Sequence, residues 1–158
     1  MSQTFTITRW GQFTNWFKKR MMNWGANKGV GLVPTPSTGS PTGGWYLALS
    51  NKAAVEWNEL ITQSTAGELA PSTYSETTRY ALTLSDARNG VEERVFWGNS
   101  NSPQFVFAGL QDVTVAYMID TASGTGNIAC YWKFETTQSP AIGQPFTPPI
   151  DGLLQNMK

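Results

Sequence analysis

The sequence predicts an all-β fold, a jelly-roll-like antiparallel β-sandwich preceded by an N-terminal arm that contains one short helix. Three observations carry the expectation. In 113–135, apolar residues alternate on both sides of a Ser/Gly/Thr turn, which is the pattern of a β-hairpin. Further short apolar runs follow one another from Trp45 onward with turn residues between them, the spacing of sandwiches and jelly rolls. The first 43 residues have a different composition, basic and Trp-rich, then Gly- and Pro-rich.

Residues 1–9 alternate weakly and fit a short strand or an arm. Thr14 is placed to cap a helix over about 15–24, with Gly25 as its stop. Its apolar residues cover most of the circumference, so it needs contacts around it. Six glycines and Pro34, Pro36 and Pro41 within 25–44 read as a linker or long loop. They do not form a phosphate-binding loop, because the terminal Gly-Lys-Ser/Thr is missing. The β domain then opens with a buried strand at 45–50. Helical spacing at Val55, Asn58/Glu59 and Ile61 predicts a short surface helix over 52–62. Strands are expected at 79–84, 91–97 and 104–108. In the hairpin, period two predicts one buried face, and Gly124 and Gly126 are expected to supply positive φ at its turn. The tail, with Pro140, Pro145, Pro148 and Pro149, is expected to be extended and mostly unpaired. The organisation is thus an arm and linker at 1–43, a sandwich at 44–138 and a tail at 139–158.

A chain of 158 residues suits one domain. Its charged fraction, 14%, is well below the usual quarter. It has no apolar run long enough to span a membrane, and the N-terminus does not read as a signal peptide. Charge is uneven: six bases and no acid up to Lys52, then five bases and eleven acids, so +6 is followed by −6. The basic part is expected to seek an acidic surface on a partner, a neighbouring copy or nucleic acid, or simply to be solvated.

There is no histidine and a single cysteine, Cys130, on an apolar face and best read as a buried hydrophobe. Histidine-dependent hydrolysis and structural zinc are thereby disfavoured. Glu92 and Glu93 are adjacent and face opposite sides of a strand. Asp86, Asp112, Asp120 and Asp151 sit near turns, where aspartate bonds the backbone. A carboxylate pair for glycoside hydrolysis is a remote alternative. Sugar stacking would draw on Trp57, Trp97 or Trp132, with core packing favoured for the last two. No catalytic residue, cofactor or metal site is expected.

The candidate partner interface is the arm: Trp10, Phe13, Trp16, Phe17, Lys18, Lys19, Arg20, Met21, Met22 and Trp24. Aromatics with Met and Arg are what interface cores enrich. Packing on its own domain, on a partner, or more weakly on a membrane surface all remain open from composition. The adjacent cations favour a partner with an acidic rim.

From 44 to 154 the chain resembles a family of small bacteriophage virion proteins, labelled tail-fibre-like, several of which act as capsid decoration (cement) proteins. Four landmarks carry the resemblance in order. They are Tyr46-Leu47-Ala48-Leu49-Ser50; Glu76 before Arg79-Tyr80-Ala81, with Leu82 in place of an arginine; the run from Tyr117 through Asp120, Gly124, Gly126 and Asn127 to Tyr131, lacking an initial glycine; and Gly143, Phe146, Ile150, Gly152 and Leu153. The Trp-rich arm and the insertion after Ser50 depart from the family pattern. The resemblance implies a non-enzymatic jelly-roll protein on the capsid exterior, assembled in the host bacterial cytoplasm. Its implied partners are the major capsid protein and itself, as dimer or trimer, with no membrane and no specific nucleic acid. A tail or fibre component touching host glycan is the alternative.

Overall fold

The computed structural model describes residues 11–25, 44–70, 79–85, 88–89, 95–153 and 155–157. These form antiparallel β-structure with one short helix. The elements are β1 (Gln12–Phe13), α1 (Asn15–Gly25), β2 (Trp45–Ser50), β3 (Arg79–Leu82), β4 (Arg88–Asn89), β5 (Val95–Trp97), β6 (Phe105–Val106), β7 (Val113–Ile119), β8 (Ile128–Gln138), β9 (Pro145–Phe146) and β10 (Gln155–Met157). The main sheet has the order β1-β8-β7-β2-β3, every pair antiparallel; β10-β5-β4 and β6-β9 form two smaller sheets.

The β7–β8 hairpin is central, as its alternation predicts. Its turn is closed by Asp120, whose carboxylate accepts the Asn127 backbone N–H at 2.7 Å and its side-chain amide at 2.8 Å. Gly124 has the expected positive φ of 68°. Gly126 does not, and is needed for space instead: a Cβ there would lie 2.3 Å from Thr121 Oγ1.

The expectation of one buried face is corrected. Both faces of the sheet are covered. Ala116, Met118, Cys130, Trp132 and Phe134 enter one core, while Val115, Tyr117, Ile119, Ile128 and Tyr131 enter a second. Polar residues in the hairpin are too few to leave a wet face, so alternation separates two apolar sets rather than apolar from polar. Register shifts interrupt the ladder between Val113 and Val115 and between Met118 and Ile119. The second shift leaves Ala129 as an extra residue in β8, the signature of a β-bulge.

The second core is roofed by 51–69, with Trp57, Ile61 and Ala66 buried. The helix expected over 52–62 is absent there; a 3-10 turn at Ala54–Glu56 takes its place, and a second follows at Gln63–Thr65. The physical reason is local. Trp57 is extended (φ −80°, ψ 120°), and the Asn58 side chain accepts the Leu60 N–H at 2.9 Å. That bond competes with a helical ladder. The Trp57 ring turns inward, 5.3 Å from Tyr117 and 5.2 Å from Tyr131.

The first core is closed by α1 and by Phe105, Phe107, Phe146 and Leu153. Thr14 caps α1 as expected: Phe17 N–H donates to its Oγ1 at 3.3 Å. The tail is more paired than expected, because it supplies both β9 and β10. Buried Asn99 ties it down, donating to Pro149 O at 2.8 Å and accepting Leu153 N–H at 2.9 Å. The strand expected at 91–97 is described from Val95 on; residues 91–94 lie outside the described residues.

Candidate interaction surface

The arm residues divide into an inner and an outer set. β1 pairs with β8 through Gln12↔Tyr131 and Phe13↔Cys130. The Thr14 N–H then donates to Ala129 O at 3.0 Å, and its hydroxyl to Ile128 O. The bulge at Ala129 turns these carbonyls toward the arm, so the chain enters the helix already fastened to the sheet. Phe13, Trp16 and Phe17 pack on the first core. Phe13 stacks on Phe17 at 4.8 Å, and Phe17 meets Trp45 edge-on at 6.2 Å. Over residues 12–22 the segment is therefore not a free arm: its aromatics lean on its own sheet and stay half-exposed. Of the residues expected to meet a partner, Phe13, Trp16 and Phe17 are half-buried and pack against the first core.

The outer set faces solvent. Lys18 and Lys19 are exposed, Met21 is half-buried, and Met22 is 74% exposed. Arg20 is half-buried with its guanidinium 5.3 Å from the centre of the Trp16 ring, a cation–π contact. Trp10 and the Trp24 side chain lie outside the described residues. Lys18 Nζ bonds Glu59, whose backbone carbonyl accepts the Asn15 N–H at 2.8 Å. This clamp places Leu60, 75% exposed, beside the start of α1. Met22 lies one helical turn beyond Lys18 on the same face. Together Met22, Lys18, Lys19 and Leu60 make a mixed apolar and basic patch. Sequence reasoning found its helical half. It missed Leu60, because a lone apolar residue in a loop has no periodicity to mark it.

Two adjoining clefts lie at the other end of β8, with volumes of about 560 and 390 Å³, sharing Asn51 and Asp112. Leu110 and Pro140 line the first; Ala54, Phe134 and Glu135 line the second. Leu110 is 77% exposed. Asp112 accepts a bond from Ser139 Oγ at 2.6 Å.

A third cluster is structural. Arg79, 4% exposed, forks onto Glu68 with two bonds of 2.7 Å and donates to Thr121 Oγ1 at 2.8 Å. The bonded carboxylate raises its pKa against the opposing effect of burial. The residues that carry the family resemblance around Arg79 and Asp120 meet here, where they join β3, the 51–69 roof and the hairpin turn. The sugar-stacking expectation is corrected for Trp57 and Trp132, which are 2% and 0% exposed; the Trp97 side chain lies outside the described residues. Cys130 is fully buried, and desolvation pushes its thiol well up. Among the described residues, no three His, Cys, Asp or Glu side chains are grouped to hold a metal ion, and no helix is long and apolar enough to cross a membrane.

No family model matches the chain, and no curated protein matches it.

Proposed function

We propose that the chain is a non-enzymatic structural protein of a bacteriophage virion, a capsid decoration (cement) protein that binds the outer surface of the major capsid protein shell and stabilises it. The observation that carries the reading is the outward patch on α1 and the adjoining loop. Met22 and Leu60 stand exposed beside Lys18 and Lys19 on a rigidly fastened helix, in a chain with few charges elsewhere. An apolar centre with a cationic rim suits a protein partner, the shell itself or a neighbouring copy seated on it. The ordered landmarks from Tyr46 to Leu153 point to the virion as the place of that partner. They also imply a jelly roll, and the antiparallel pairing of β2 with β7, β4 and β10 with β5, and β6 with β9 supports that architecture. Assembly in the host bacterial cytoplasm and residence on the capsid exterior follow from the same reading.

Gold-labelled antibody against the protein tests it on intact particles. Label spread over the shell is expected, together with shells that open at a lower temperature when the protein is absent. Label only at the tail would make it a tail or fibre component instead. Virions free of label would end the reading.

A further inference from the structure

We infer that the outward face of α1 docks into the acidic cleft pair at the far end of β8 on a second copy of this chain, a head-to-tail contact. The two surfaces are complementary. The helix offers Lys19, exposed and without an ion-pair partner among the described residues, with Met22 three residues on. The clefts offer Asp112 and Glu135, with exposed Leu110 as the apolar counterpart. The same division appears in the whole sequence, +6 up to Lys52 and −6 after it.

One molecule cannot make this contact with itself. α1 is fastened at Thr14 to Ile128 and Ala129, where β8 begins, and its Phe17 meets Trp45 at that same end of the sheet, whereas Glu135 lies near the other end. Six residues of extended strand put the two about 20 Å apart, on a sheet held rigid by both cores. The surfaces differ, so the contact is heterologous, and it closes into a ring or propagates according to the rotation between copies. The inference rests on the reading of the α1 patch as a protein-docking surface and names a second copy as its occupant; it concerns the isolated chain and is tested without particles.

The test is sedimentation velocity of the full chain over a concentration series, with Lys19→Glu, Glu135→Lys, the double variant and a one-to-one mixture of the singles. Both positions are exposed, so circular dichroism is expected to stay unchanged. The wild type is expected to associate reversibly and less so in high salt. Each single variant should weaken association about three- to tenfold, the size of a surface charge contact turned repulsive. The mixture should recover it, because each variant then presents a matching surface to the other, and the double variant should recover it alone. Leu110→Asp, which has no charge partner to swap, should weaken association in every combination. A wild type that is monomeric throughout the series overturns the inference, as do single variants that associate normally, or variants whose mixture fails to recover. Particle binding measured in parallel by co-sedimentation keeps this outcome apart from the virion reading: decoration by a strictly monomeric chain sinks the inference alone.

Discussion

Replacing Trp57 with alanine measures how much of the fold depends on the roof over the second core. A buried tryptophan removes about 150–250 Å² from water. At about 25 cal/mol per Å² that is roughly 4–6 kcal/mol, and large-to-small core substitutions of this kind cost about 3–5 kcal/mol. One term acts the other way. The Trp57 Nε1–H is buried and finds no acceptor among the described residues, and an unsatisfied donor costs about 1–3 kcal/mol, which the alanine variant recovers. The expected net loss is about 3 kcal/mol, from the ring contacts with Tyr117 and Tyr131 and the cavity left between them. Urea unfolding followed by far-ultraviolet circular dichroism is the suitable assay, since seven tryptophans make fluorescence ambiguous. With a slope of about 1.5–2 kcal/mol per M, the midpoint should fall by about 1.5–2 M. Trp57→Phe keeps a ring and removes the donor, so it should cost about 1 kcal/mol or less. A loss below about 1 kcal/mol for the alanine variant would refute the reasoning, as would equal losses for both variants.

Arg79→Ala strands the Glu68 carboxylate among buried groups and should cost about 3–5 kcal/mol in the same assay, whereas replacing both partners by methionine should cost far less. Thr14→Val removes the cap and the bond to Ile128 O; a loss of about 1–2 kcal/mol and faster amide exchange in the first turn of α1 are expected. Cys130 should react with a thiol reagent only on unfolding. Burial raises its folded pKa above the ordinary 9.0, so the unfolded chain ionises first. Stability should therefore hold below about pH 9 and decline above it, and Cys130→Ala should flatten part of that decline.

The hairpin was legible because 113–135 alternates over many residues, and the cap at Thr14 because one hydroxyl just before a helical run has a single obvious use. The second buried face was not legible. Thr114, Ala116 and Met118 look like an outer set beside Val115 and Tyr117, yet Ala116 and Met118 are as buried as their neighbours. Nothing in a strand's own residues says whether another layer lies above it. That layer comes from 51–69, whose helical spacing was misleading: Asn58 bonds locally and Trp57 is pulled inward by two tyrosines more than 50 residues away. For the interaction surface, periodicity found α1 but could not say which of its sides the sheet would take. Trp16 and Phe17 are adjacent in the chain, and both rest half-buried against the first core because β1 pairs beside them.

The pairing of Gln12 with Tyr131 spans 119 residues, and the same stretch of β8 holds Thr14. During synthesis the aromatic segment leaves the ribosome early, and the strand that covers it leaves late. Phe13, Trp16 and Phe17 must wait in water while most of the chain is made, during which they are open to misplaced contacts. Contacts this distant in sequence also slow the final step of folding. The outward basic patch exists as a defined surface only once α1 has been set against β8, so a copy still being made has no helix face to offer. The helix is thereby tied to completion of the fold: a long strand that emerges late is the one that fixes it in place.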